Sequence, residues 1–170
     1  AVIVSSLDEA DNCPKQPAYL HAFGQGHSGA RNLAGNSPET QTGAEIASAK
    51  LLETLGATPA LYDYCELYSP FTITSILALE GYGLCQPGEA PDLIASGTTK
   101  PGGKLPVNTG GGHLSSYYLQ GMTPVHEAVV QARGDGGERQ VPKNDIGLVT
   151  GFGGRMEYHS AMTISPHREL

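Results

Sequence analysis

The stretch LPVNTGGGHLSSYYLQG, residues 105–121, gathers residue types that can carry chemistry. Its three consecutive glycines allow positive φ angles or a close approach of the backbone to a ligand, and their amides could form an anion-binding nest. The polar and aromatic side chains around the glycines are Asn108, His113, Tyr117 and Tyr118. Two plainer readings stay open: the glycines form only a tight turn, and the tyrosine rings pack into a core with their hydroxyls pointing outward.

Metal and nucleotide chemistry are poorly supported. The six histidines are scattered singly, and the three cysteines, Cys13, Cys65 and Cys85, are odd in number and share no CxxC spacing. They therefore predict no metal site and no disulfide framework, which favours a reducing cytoplasm. The glycine-rich segments GQGHSG and GFGG match neither the P-loop nor the dinucleotide-binding spacing.

The charge balance excludes two classes of partner. Asp and Glu number 17 against 10 Lys and Arg, which gives a net charge of -7, and the basic residues form no cluster. Nucleic acid and anionic membranes are therefore not expected partners. No apolar run approaches the length that spans a bilayer, so we expect a cytoplasmic protein.

Strands and helices alternate along the chain. The predicted strands are 1–6, 17–24, 62–69, 145–154 and 159–165, and the predicted helices are 42–57, 71–83 and 123–134. In the last helix, Val125, Ala128, Val129 and Ala132 follow the i, i+3, i+4, i+7 spacing of a buried stripe. Polar loops are predicted at 24–41, 85–92 and 96–104, the first long enough to be a binding or mobile loop. The pattern predicts an α/β layered fold.

The order of four segments resembles the C-terminal half of the thiolase superfamily, especially its thiolase-like lipid-transfer-protein branch. They are ELYSPFT, LPVNTGGG with YYLQG, VHEAVVQARG and LVTGFGG, and the resemblance covers nearly the whole chain. It implies a mixed sheet flanked by helices, with residues 1–17 ending the family's N-terminal half and residues 18–170 forming the C-terminal domain. The missing initial Met fits either a chain whose natural beginning lies elsewhere or simple removal of the initiator.

The chain departs from the thiolase motifs at the catalytic positions. Tyr118 stands where the resemblance places the histidine of GHP-x-G, with Gly121 kept, and the NEAF-like corner begins at Tyr68. The CxGG position reads Gly151, Phe152, Gly153 and Gly154, and no cysteine of this chain stands where the family has its nucleophile. The resemblance implies substrate or CoA contacts at Asn108, Gly111, Gly112, Gly153 and Gly154.

A phenol in place of the imidazole suits an aldol cleavage. Relatives in this branch cleave a β-hydroxyacyl-CoA by retro-aldol reaction, notably in steroid side-chain degradation. The resemblance therefore implies that Tyr118 deprotonates the β-hydroxyl, once its ordinary pKa near 10 is tuned by its neighbours, while an oxyanion hole stabilises the enolate. Tyr117 is the alternative phenol, Tyr68 could point into the same cleft, and His113 could touch the substrate.

Two other functions remain open. One is acetyl-CoA acyl transfer with a nucleophilic cysteine supplied by a missing N-terminal half, and the other is a non-catalytic module that binds acyl-CoA or lipid. The substrate is expected to be a CoA thioester, with no covalently bound cofactor. Expected partners are a second copy, a chain carrying the N-terminal half, or a small DUF35-type protein with an OB-fold, because a missing half would leave an apolar face exposed.

Overall fold

The computed structural model describes residues 2–28 and 42–170, and a mixed four-stranded sheet lies at its centre. The strands are β1 (Tyr19–His27), β2 (Tyr64–Glu66), β3 (Gly147–Gly153) and β4 (Tyr158–Ser165). Their order across the sheet is β1, β4, β3, β2. β4 runs antiparallel to both β1 and β3, whereas β2 is parallel to β3. The layered α/β fold with a mixed sheet is confirmed.

Five helices flank this sheet in the described residues. They are α1 (Ala44–Leu55), α2 (Thr72–Gly81), α3 (Ala90–Ala95), α4 (Gly112–Ser115) and α5 (Met122–Ala132). Short 3-10 turns occur at Leu7–Asn12, Pro59–Leu61 and Gly137–Arg139. None of the helices that the structure describes is both long and apolar enough to cross a bilayer.

The two faces of the sheet are buried by different helices. On one face, Gly24 and Gly26 of β1 lie against α1 so closely that a Cβ at either position would overlap the backbone of α1 or of Gly43 before it. The core on this face includes Leu51 of α1, Leu79 of α2 and Leu148 of β3. On the other face, Ala128 of α5 packs near Tyr64, Val149 and Ile164. The alternation of Leu148 and Val149 follows the period of two of a strand.

Most of the predicted elements are present, with two corrections. The strand predicted at 1–6 is wrong, since residues 2–6 form no regular structure and the side chains of Ile3 and Val4 are 92% and 89% exposed. An apolar run forms a strand only where a neighbouring strand offers hydrogen bonds, and within the described part of the chain no strand pairs with residues 2–6. The loop predicted at 85–92 is partly wrong, because α3 begins within it at Ala90. Most of the loop predicted at 24–41 lies outside the described residues, and the boundary at residue 17 stays a prediction.

Candidate active site

Asn108 joins the loop after residue 105 to the corner that follows β2. Its side-chain oxygen accepts a hydrogen bond from the Leu67 amide at 2.7 Å, and its amide nitrogen donates to Ser69 Oγ at 3.0 Å. Asn108 itself has φ of 53°, a left-handed conformation that Asn tolerates better than most residues. Both ends of the side chain are therefore engaged within the protein, and contact with a substrate stays a prediction.

Gly111 and Gly112 occupy positions of this loop where a side chain would be disfavoured. Gly111 and Gly112 have φ of 93° and 57°, the region that favours glycine. A Cβ on Gly112 would lie 2.8 Å from Ser69 Oγ and 2.9 Å from the Asn108 amide nitrogen. These glycines allow the loop to close against the β2 corner, which accounts for them without a ligand.

Tyr68 and Tyr118 form the centre of the site. Their hydroxyl oxygens lie 2.6 Å apart, although the residues are 50 positions apart in sequence. The ring of Tyr118 is 53% exposed, so the hydroxyl pair is not enclosed in the interior. Burial, together with the hydrogen bond to Tyr118, raises the pKa of Tyr68 to about 12. Tyr68 therefore keeps its proton at physiological pH and can donate it in a hydrogen bond to the Tyr118 oxygen.

His113 lies against both phenol rings. Its ring centroid is 4.7 Å from that of Tyr68 and 4.9 Å from that of Tyr118, both in edge-to-face geometry. Nδ1 accepts a hydrogen bond from the Ser69 amide at 3.2 Å, so Nε2 carries the proton and donates it to the Gln120 carbonyl at 2.8 Å. Neither nitrogen is left to serve as a base, and the predicted contact of His113 with substrate stays a prediction.

Tyr117 makes a different contact from Tyr118. Its hydroxyl lies 2.7 Å from Nδ1 of His126 on α5, and its side chain lines a small crevice with Glu66 and Glu127. Burial raises its pKa above the ordinary value. The structure thus brings Tyr68, Tyr118 and His113 together and gives the Tyr117 hydroxyl a separate partner.

The end of β3 and the turn that follows it form the other wall of the site. The Phe152 ring packs against Tyr68 with centroids 4.9 Å apart and stacks on the buried His159 at 5.5 Å. Beside it is an open depression whose lining includes Gly121, Gly153 and Ser160. Gly154 has φ of 65° in the tight turn. Gly153 therefore lines the depression, whereas the positive φ angle of the turn accounts for a glycine at position 154. Substrate contact at either glycine stays a prediction.

A buried polar cluster behind the loop was not predicted from the sequence. Glu66 at the end of β2 accepts a hydrogen bond from the Thr109 amide at 3.1 Å, and the same carboxyl oxygen lies 2.7 Å from the Thr109 hydroxyl. Glu127 of α5 pairs with Arg139 at 2.9 Å. Burial raises the pKa of Glu66 to about 8, whereas hydrogen bonds from Arg139, Gln131 and Thr109 outweigh burial and lower the pKa of Glu127. The signal that could have pointed to this cluster was the carboxylate of Glu66 within the largely apolar segment YDYCELYS.

Two of the three cysteines have a raised thiol pKa. Cys65 is fully buried, and burial raises the pKa of its thiol well above the ordinary value. Burial and two nearby carboxylates raise the pKa of Cys85 to about 11. Cys13 is exposed on the 3-10 turn region. No group of three or more metal-ligating side chains occurs in the two described ranges.

A mixed sheet between helices, with paired tyrosines where the β2 corner meets the glycine loop, defines a thiolase-like α/β domain. The chain belongs to the thiolase C-terminal domain-like family, whose model matches residues 24–165. The predicted family and fold are thereby confirmed.

The chain is similar to several characterised proteins of this family. The chain is 36% identical to the 17-hydroxy-3-oxo-4-pregnene-20-carboxyl-CoA lyase of Mycobacterium tuberculosis over 79% of its own length and 36% of the lyase. It is 32% identical to an acetyl-CoA acetyltransferase of Methanothermobacter thermautotrophicus over 91% of this chain and 41% of that one. A solved structure of an Ltp2-ChsH2(DUF35) aldolase superimposes with a TM-score of 0.87 at 30% identity, covering 96% of this chain and 43% of the other. The chain thus spans well under half the length of these relatives.

Proposed function

We propose that this protein cleaves a β-hydroxyacyl-CoA by a retro-aldol reaction, with Tyr118 as the base. The observation that carries the proposal is the 2.6 Å contact between the Tyr68 and Tyr118 hydroxyls. A hydrogen bond donated to a phenolate favours the ionised form. Tyr68 can donate such a bond because its own pKa is raised to about 12, so it keeps its proton near neutral pH. The pair therefore provides one phenol that donates a hydrogen bond and one that accepts it and serves as the base in this proposal.

The reaction balances with this pair alone. Tyr118 takes the proton of the β-hydroxyl, the C–O bond becomes a carbonyl, and the bond between the α and β carbons breaks. The electron pair remains on the acyl-CoA as an enolate, which then takes the proton back from Tyr118 at its α carbon. The products are a ketone or aldehyde and a shortened acyl-CoA, and no oxidant, metal or thiolate is needed.

The position of the pair supports access for such a substrate. Tyr68 contacts both the exposed Tyr118 ring and the ring of Phe152, which lines the open depression. The resemblance to a carboxyl-CoA lyase and to an aldolase favours a CoA thioester with a steroid or lipid side chain. No covalently bound cofactor enters the proposal.

The direct test replaces each phenol in turn. Tyr118→Phe is expected to reduce cleavage of a β-hydroxyacyl-CoA by about 10²–10⁴-fold, the usual contribution of a positioned acid or base, and Tyr68→Phe by a smaller factor. Tyr19→Phe is the matched control and should keep full activity, because Tyr19 pairs with Ser165 at the end of β1 that is farthest from the β3–β4 turn. Retention of wild-type turnover by Tyr118→Phe would reject the proposal, and a loss confined to Tyr117→Phe would move the base to that residue.

Acyl transfer is the second candidate because of the similarity to an acetyl-CoA acetyltransferase. It would need a reactive cysteine, and burial raises the pKa of both Cys65 and Cys85. Iodoacetamide separates the two candidates. Under the lyase proposal, alkylation of the exposed Cys13 leaves cleavage intact, whereas loss of activity on labelling one fast cysteine favours transfer. Acyl-CoA binding without turnover would instead favour a non-catalytic module.

We further propose that the protein acts with a partner chain, which accords with the DUF35 component of the similar aldolase structure. Exposed apolar side chains such as Ile3 and Phe23, at 92% and 70% exposure, suit burial in an assembly. Light scattering with and without a DUF35-type protein should show either a homo-oligomer or a mixed complex, and a lone monomer under both conditions would contradict this.

A further inference from the structure

We infer that His113 is a positioning residue that sets the geometry of the Tyr68–Tyr118 hydroxyl pair. The inference concerns the pair itself and rests on the proposed function only for its effect on catalysis. His113 is the one side chain in the described residues that hydrogen-bonds the backbone beside both tyrosines. It acts through them and does not itself exchange a proton with substrate.

Each ring nitrogen of His113 holds one of the two segments. Nδ1 accepts from the amide of Ser69, the residue directly after Tyr68. Nε2 donates to the carbonyl of Gln120, two residues after Tyr118. The two tyrosines come from segments about 50 residues apart, so a single imidazole spans the gap between them.

The segment that carries Tyr118 has few other restraints. The side chains from Ser115 to Met122 are exposed, and Gln120 adopts φ of 49°, a strained conformation for a residue other than glycine. Besides His113, two side chains of α5 hold this segment: the hydroxyl of Thr123 accepts from the Leu119 amide at 2.9 Å, and His126 Nδ1 lies 2.7 Å from the Tyr117 hydroxyl. The bond from His113 to the Gln120 carbonyl therefore fixes the turn where its backbone is least favourable.

The backbone of His113 is itself held in place by hydrogen bonds. Its own amide donates to Ser69 Oγ at 3.2 Å, and that oxygen also accepts from Asn108. The imidazole also packs in edge-to-face geometry with the rings of Tyr68 and Tyr118, at centroid distances of 4.7 and 4.9 Å, which restricts the rotation of both phenol rings. Since a displacement of about 1 Å in a reacting group can cost about 10²-fold in rate, loss of this support should be visible in turnover.

The first experiment measures the pair without relying on catalysis. Tyr118 is replaced by 3-fluorotyrosine, and its ¹⁹F resonance is titrated with pH in the protein and in His113→Phe, which keeps a ring but removes both hydrogen bonds. We expect the resonance and its titration midpoint to move in His113→Phe and to stay unchanged in His21→Phe, a matched histidine of β1 whose Nε2 lies 2.8 Å from the His167 carbonyl. An unchanged ¹⁹F titration in a folded His113→Phe would overturn the inference, whatever the reaction proves to be.

The second experiment reads catalysis. His113→Phe is expected to lower kcat about 10–100-fold while KM changes less than about threefold, because the phenols and not the binding surface are displaced. His113→Gln keeps a donor near the Gln120 carbonyl and should recover part of the rate, and His113→Asn keeps an acceptor near the Ser69 amide. In a Tyr68→Phe background the His113→Phe change should cost less than about threefold, since the pair is already broken. Fully additive losses in this cycle would contradict the inference.

The two proposals fail in different ways. If the wild-type protein cleaves no β-hydroxyacyl-CoA, the proposed function falls, and the ¹⁹F titration still decides whether His113 positions Tyr118. If cleavage occurs but the ¹⁹F titration is insensitive to His113, the proposed function stands and the positioning role falls. Should His113→Phe unfold, the Gln and Asn variants carry the same two measurements.

Discussion

Glu66 and Glu127 both reach the hydroxyl of Thr109, with carboxyl oxygens 2.7 and 2.9 Å from Thr109 Oγ1. A hydroxyl has one proton and can donate to only one of them. Glu127 is ionised, because hydrogen bonds that include those from Arg139 lower its pKa. The second short contact is therefore satisfied when Glu66 is the protonated partner, in agreement with its pKa of about 8.

The protonated Glu66 makes stability depend on pH. Its folded pKa of about 8 lies above the ordinary value of 4.5, so between these values the folded state binds a proton that the unfolded state has lost. Stability from this group is thus fully present below about pH 4.5 and lost as the pH rises toward 8. At pH 8 Glu66→Gln should be more stable than the wild type by about 3–4 kcal/mol and should unfold at a higher temperature, whereas near pH 5 the two should be similar. Glu53→Gln, on the exposed face of α1, serves as control, and an equal change at both pH values would contradict the assignment.

His159 gives the opposite dependence in a more acidic range. Burial lowers its pKa from 6.5 to about 4, so the unfolded state takes up a proton as the pH falls through 6.5 while the folded state does not. Wild-type stability should therefore fall by roughly 2–3 kcal/mol between pH 6.5 and 4 from this group. His159→Phe, which keeps a ring against Phe152, should lose this acid-sensitive part, as followed by urea unfolding at several pH values. Identical acid dependence in variant and wild type would show that His159 already carries its proton.

Arg139 neutralises the buried charge of Glu127. The Glu127 side chain is 7% exposed, and removing Arg139 would leave its carboxylate with neutral donors only. Arg139→Ala should therefore cost about 1–3 kcal/mol, the range for a buried charged group that loses a hydrogen-bonded partner. Arg168→Ala breaks an ion pair with the 79% exposed Asp11 and should change stability by less than about 0.5 kcal/mol. Equal effects of the two substitutions in chemical unfolding would argue that Glu127 is well solvated.

Gly112 tests how tightly the loop is closed. Its φ of 57° disfavours any side chain, and a Cβ would also meet Ser69 Oγ and the Asn108 amide. Gly112→Ala should destabilise the protein by about 2–4 kcal/mol and also reduce the proposed cleavage, because the overlap moves residues next to Tyr68 and His113. Gly134→Ala has φ of 74° with open space around the Cβ, so it isolates the conformational cost of about 1 kcal/mol. If both variants lose the same stability, the loop has room that the packing does not indicate.

The helices and most strands could be predicted because their signals are local. The apolar stripe of α5 and the glycine that ends α1 depend on residues within a few positions of one another. The strand predicted at residues 1–6 failed for the same reason, since an apolar run contains no information about whether a partner strand is present. Tyr118 could be singled out because the family resemblance predicts that it replaces the histidine of the GHP-x-G motif.

Amino-acid sequence alone therefore determined the α/β class, the thiolase resemblance and three candidate phenols, Tyr118, Tyr117 and Tyr68. Only the tertiary structure showed that Tyr68 supplies the second hydroxyl, that both nitrogens of His113 hold the backbone, and that Glu66 and Glu127 share Thr109. The physical reason is that a hydrogen bond forms or fails according to differences of a few tenths of an ångström in the donor–acceptor distance. Between segments that lie dozens of residues apart in sequence, those distances arise only when the sheet and helices pack.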